Sequence, residues 1–172
     1  MTTIGGTPAQ PVPPSVPTRS EQDDVAVDIA RYRRLAVDVL TAEGVTGPAE
    51  LALTFVGEDE IAELNRTWLD GDGPTDVLAF PIDDEDDVAP GPRMLGDVIV
   101  CPSVAERYAT ANGRAPVDEI ALLVVHGVLH VLGHDHLEDD EAQVMRDREH
   151  HHLTTAWDGT WTWGDTERKP TP

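Results

Sequence analysis

The residues of this chain whose spacing points to chemistry lie in Val125–Leu137, V-H-G-V-L-H-V-L-G-H-D-H-L. His126 and His130 stand four apart. Residues four apart share a helix face one turn on, so two imidazoles there can hold one metal ion. Gly133 comes three residues later. A glycine can take positive φ, end the helix and fold the chain back. His136 lies just past that bend, placed to return as a third ligand. Three histidines with an open fourth position make a catalytic arrangement, because water or substrate must reach the ion. A structural zinc site is normally closed by four protein ligands, usually with cysteine. The expected cofactor is Zn²⁺, one per chain, although three imidazoles also suit nickel, copper and iron.

Other histidines and acids compete for roles. His134 sits between the ligands as a rival to His136, and H-x-x-G-x-x-H spacing favours His136. His150, His151 and His152 are consecutive, so they point around a helix and cannot chelate together; they read as a surface face. Asp135 is a candidate support for a ligand histidine, and Asp97 a weaker one.

These side chains must be held by an apolar helix from Pro116 to about Leu132, then by a charged last helix from Leu137 to about Trp157. Upstream, Asp23 and Asp24 suit a helix start, and Gly44 suits its end. Residues 50–56 alternate as a strand. Glu58–Trp68 has helical spacing, and Thr75–Ile82 reads as a second strand. Leu95–Cys101 is a third, more apolar and so more central. Pro102 opens a helix that Gly113 stops. The acids Asp83–Asp87 read as a solvated loop. The whole forms one domain over residues 22–157. Residues 1–21 are expected as a disordered proline-rich tail and 158–172 as a C-terminal tail.

Composition bounds the function. The chain has 172 residues and a formal net charge of -21. Such a surface repels nucleic acid and anionic membrane at long range. A cleft for any anionic ligand would need local basic groups, and Arg31, Arg33 and Arg34 are candidates for its rim. One cysteine excludes an internal disulfide framework. No apolar run of membrane-spanning length exists. A cytoplasmic location is expected.

Two known patterns share the histidine spacing. The metzincin protease signature, H-E-x-x-H-x-x-G-x-x-H, needs a glutamate as general base. Gly127 stands in its place. The second pattern is H-G-x-L-H-L-x-G-Y-D-H, and His126–His136 closely resembles it. It is the signature of the YbeY family of bacterial endoribonucleases. The stretch Gly73–Pro81 looks like the family's P-T-D-V-L-S-F-P segment, and Leu95–Pro102 like its L-G-D-I-x-I-C strand. The resemblance spans about residues 22–157.

The resemblance implies an α+β fold, a small mixed β-sheet flanked by helices, with the metal site on a helix–turn in a cleft. It implies His126, His130 and His136 as zinc ligands. It implies metal-dependent cleavage of single-stranded RNA in 16S rRNA 3′-end maturation and 70S ribosome quality control, with ribosomal RNA and the ribosome or ribosomal proteins as partners. Three departures stand out. The family arginine before P-T-D is replaced by Leu69, with Arg66 and Arg93 as substitutes to consider. The motif tyrosine is His134. The family also begins with a strand, which the proline-rich tail here is not expected to supply. A non-catalytic ribosome-assembly factor with a zinc site is the alternative, as is a metzincin-like metallohydrolase lacking its Glu base. Neither the catalytic base nor the oligomeric state follows from the sequence.

Overall fold

The computed structural model describes residues 8–82, 90–135 and 137–157. The acidic run Asp83–Asp87, the expected ligand His136, residues 1–7 of the N-terminal tail and the expected tail at 158–172 lie outside them. In chain order the elements are β1 (Thr18–Ser20), α1 (Ile29–Ala42), β2 (Ala49–Phe55), α2 (Glu58–Leu69) and β3 (Val77–Pro81). They continue with β4 (Arg93–Val100), α3 (Pro102–Ala111), α4 (Pro116–Val131) and α5 (Asp139–Ala156).

The sheet has four strands in the order β1-β2-β4-β3. β1, β2 and β4 run parallel, and β3 pairs antiparallel with β4. This is the mixed α+β architecture expected. β4, like β2, has a partner on both sides. Alternation along β4 sends Val98 and Val100 to one face and Ile99 to the other. Val98 and Val100 join the main core with α1, α4 and α5. Ile99 packs with Ile61 of α2, Leu78 and Val104 in a smaller cluster on the opposite face.

α4 is the axis of the main core. It touches α1, α3, α5, β3 and β4. Every residue from Glu119 to Leu129 except His126 is buried. A helix apolar on nearly all sides belongs inside, and between Glu119 and Val131 only His126 and His130 are not fully buried. α4 then ends on a Schellman turn. Gly133 has φ +95°. The His134 N–H reaches the Leu129 carbonyl and the Gly133 N–H the His130 carbonyl, both at 3.0 Å.

Two expectations are corrected. The proline-rich segment is not all tail. Ser15 bridges to Glu50, and Thr18–Ser20 pairs with Leu53–Phe55 as the edge strand that the sequence was not expected to provide. Proline is tolerated at a sheet edge because only one side must donate. Pro17 accepts there, from the Leu53 N–H at 3.0 Å. Val16, 3% exposed, anchors the strand in the core. The first helix also starts later than Asp23 and Asp24. Asp28 is its N-cap, its carboxylate accepting the Arg31 N–H at 3.0 Å.

Candidate metal centre

His126 and His130 face the same way from α4. Their ring centroids are 4.7 Å apart and the rings meet edge to face. Both are half-buried. The i, i+4 spacing therefore does what the sequence implied: it brings two imidazoles to one opening in a buried helix. Among the described residues, no group of three His, Cys, Asp or Glu gathers as a metal site. His136, the expected third ligand, lies outside those residues.

α5 returns antiparallel along α4 and adds a residue that sequence reasoning missed. The Nδ1 of His126 lies 2.5 Å from Oε1 of Glu149. Glu149 is 4% exposed. An ionised carboxylate only accepts, so this contact favours the proton on Nδ1 and leaves Nε2 as the free acceptor nitrogen. Carboxylate support of this kind orients ligand histidines in metal proteins. It was sought at Asp135 and Asp97. Asp97 is exposed on the α2 side of β4, because its neighbour Val98 faces α4. Asp135 is half-buried in the turn after α4. Glu149 lies 23 residues after His126, with no local spacing to announce it.

A second carboxylate holds the turn. Glu43, the C-cap of α1, accepts from Arg148 at 2.9 Å on both oxygens, from His152 Nε2 at 2.6 Å and from His134 Nε2 at 3.3 Å. Burial alone would raise its pKa. The hydrogen bonds from His152 and Arg148, with the guanidinium charge, outweigh burial and hold the carboxyl below its ordinary value. His152 is 2% exposed, so one member of the expected surface triplet is an interior residue. His150 and His151 are exposed. His134 spends its Nε2–H on Glu43, which fits a turn-fastening role better than a ligand role through that nitrogen.

Gly127 explains its own identity. A Cβ there would lie 2.5 Å from Val98 Cγ1. Position 127 thus points into the sheet, away from the His126–His130 opening. A metzincin-type glutamate has no room at this position.

The basic residues singled out lie elsewhere. Tyr32 of α1 donates its hydroxyl to the Val117 carbonyl at 3.0 Å. Arg31 is therefore level with the start of α4, nine residues before His126, roughly 13 Å along the helix. Its guanidinium covers the Trp157 ring at 3.8 Å. Arg66 and Leu69 belong to α2, on the opposite face of the sheet, and Leu69 is 56% exposed. Arg93 opens β4, five residues before Val98, about 16 Å along the strand. Among the described residues, Leu137, Glu138, Asp139 and Asp140 line an open hollow of about 470 Å³ at the start of α5.

Known proteins share this chain's sequence and fold. The chain is 42% identical over 140 residues to a Beutenbergia cavernae protein named endoribonuclease YbeY, covering 79% of this chain and 93% of that one. It is 45% identical to a Salinispora tropica protein of the same name, covering 69% and 82%. The solution structure of TM1509 from Thermotoga maritima superposes with a TM-score of 0.59 at 26% identity, over 83% of this chain and 89% of that one. Residues 18–156 match the family described as endoribonuclease YbeY. With the histidine pair, the glycine turn and the mixed sheet in place, the chain belongs to the endoribonuclease YbeY family.

Proposed function

We propose that this protein is a zinc-dependent, single-strand-specific endoribonuclease that acts in 16S rRNA 3′-end maturation and 70S ribosome quality control. Its partners are ribosomal RNA and the ribosome or ribosomal proteins, and its location is the cytoplasm. The observation that carries this reading is the pair His126–His130, half-buried side by side on an otherwise buried helix. Family membership supplies the reaction class. The donor set fits zinc: two imidazoles on one face, one of them oriented by a buried carboxylate.

His126 and His130 would hold the metal, with His136 as third ligand. Zinc held there supplies Lewis acidity toward a phosphodiester. The chain's own groups do the rest of the positioning. Glu149 keeps the proton of His126 on Nδ1. Glu43 ties the turn after α4 to α1 and α5. The packing of Gly127 on Val98 seats α4 against the sheet. The non-catalytic assembly-factor reading rests on one observation, the exposed Leu69 where the family carries arginine.

The test is zinc content and cleavage of a labelled single-stranded RNA, in wild type and His126→Ala. About one zinc per chain is expected, with metal and cleavage both lost in the variant. Zinc without cleavage under any salt condition selects the assembly factor. No zinc in the wild type overturns the cofactor assignment. Full metal and full activity in His126→Ala overturn the site.

A further inference from the structure

We infer that Glu149 is the positioning residue of this centre: it locks His126 in the Nδ1–H tautomer and so presents Nε2 as the ligand nitrogen. The coordination half of this inference rests on the zinc reading above; the tautomer half does not. Three observations carry it. The contact is short, 2.5 Å between His126 Nδ1 and Glu149 Oε1. Both groups are shielded, with side chains 17% and 6% exposed, so water competes weakly for either one. The two helices are also fixed in register by a second antiparallel contact: Trp157 Nε1 donates to Asp118 Oδ1 at 2.8 Å. His126 lies eight residues after Asp118, and Glu149 eight before Trp157. α5 is therefore clamped at a point that makes the His126–Glu149 pairing a consequence of helix register rather than of a mobile surface side chain.

Glu43 and Asp97 do not duplicate this role. Glu43 is engaged by Arg148, His152 and His134. Asp97 is on the other face of β4. An imidazole binds metal through an unprotonated nitrogen, and which nitrogen that is depends on the partner of the other. Here the partner is an acceptor on Nδ1. Removing it frees the ring to exchange tautomers and to rotate, and both changes weaken coordination.

The experiment uses the full chain in two states. In metal-free protein, at a pH where the ring is neutral, ¹⁵N chemical shifts of His126 report the tautomer directly. Wild type should show Nδ1–H. Glu149→Ala should move the ring toward Nε2–H or a mixture. Glu149→Gln, which preserves volume and can either accept or donate, should lie between. In parallel, zinc affinity is measured by competition with a chromophoric chelator, below the unfolding temperature of each variant. Glu149→Ala should bind zinc about 10- to 100-fold more weakly, and Glu149→Gln should lose less. A merely structural Glu149 would lower thermal stability without moving the tautomer. An unchanged Nδ1–H signal in both variants overturns the inference. A wild type that takes up no zinc overturns the cofactor reading and the coordination half with it, and the tautomer result still decides the orienting role.

Discussion

Gly127 and Val98 are in such close contact that a Cβ on Gly127 would sit 2.5 Å from Val98 Cγ1 and 3.2 Å from its Cγ2. Val98 is fully buried on the central strand, and its β-branched side chain has little rotamer freedom. The helix that carries His126 and His130 is thus seated on the sheet through an absent side chain. Gly127→Ala should gain about 1 kcal/mol of helix propensity and lose about 1–3 kcal/mol to overpacking. The net expectation is destabilisation of about 1 kcal/mol, read from urea unfolding. In a Val98→Ala background the same substitution should become neutral or stabilising. A stabilised single variant would show that the two surfaces are not in tight contact.

The carboxylate of Glu43 joins α1 to α5 across 105 residues of sequence. Glu43→Ala would leave His152, 2% exposed, without its acceptor. Breaking a fully buried ion pair costs about 3–5 kcal/mol, but the Arg148 side chain is 45% exposed and solvent screens it. A loss of about 2–3 kcal/mol at neutral pH is expected from denaturant titration. Retained stability in Glu43→Ala would mean that the cluster is replaceable by water.

The same group sets a pH dependence. Its pKa is lower in the folded protein than the ordinary 4.5. The unfolded chain therefore binds the proton more readily in that region, and stability rises with pH there. The Glu43 contribution should be complete above about pH 4.5 and fade as pH falls through the folded value. Unfolding curves of wild type and Glu43→Gln should diverge at neutral pH and converge in acid. Parallel curves across that range would contradict the depressed pKa.

The edge strand should matter to stability. Val16 is 3% exposed beneath β1, and Val16→Ala removes two buried carbon groups, a cost of about 1.5 kcal/mol. A chain lacking residues 1–20 should melt at a lower temperature and aggregate more readily, because β2 becomes an open edge. An unchanged melting temperature would return the segment to the status of a tail.

Arg31 should behave as a packing residue. Its guanidinium lies over Trp157, which also stacks on Tyr32 with centroids 5.4 Å apart. Arg31→Ala should cost about 0.5–1 kcal/mol and leave affinity for single-stranded RNA unchanged in a titration at fixed salt. Weakened RNA binding would put Arg31 back on the rim of the binding surface.

The local sequence was enough for most of what depends on neighbours along the chain, although it put the start of the first helix at Asp23 and Asp24 rather than after Asp28. The spacing of His126 and His130 set two rings on one face, because helix geometry repeats every turn. Gly44, Gly113 and Gly133 marked the helix ends, and each has positive φ where the chain leaves a helix. The apolar character of Leu95–Cys101 identified one of the two central strands. The family was legible in three motifs. The tertiary structure alone decided the rest, because it depends on which distant surfaces meet. Val16 and Pro17 become an edge strand only once β2 offers its hydrogen bonds. Glu149 and Glu43 become supports for the histidines only once α5 packs antiparallel on α4 and the end of α1 arrives beside the turn. No periodicity connects residues 23 or 105 positions apart; the register of packed helices does.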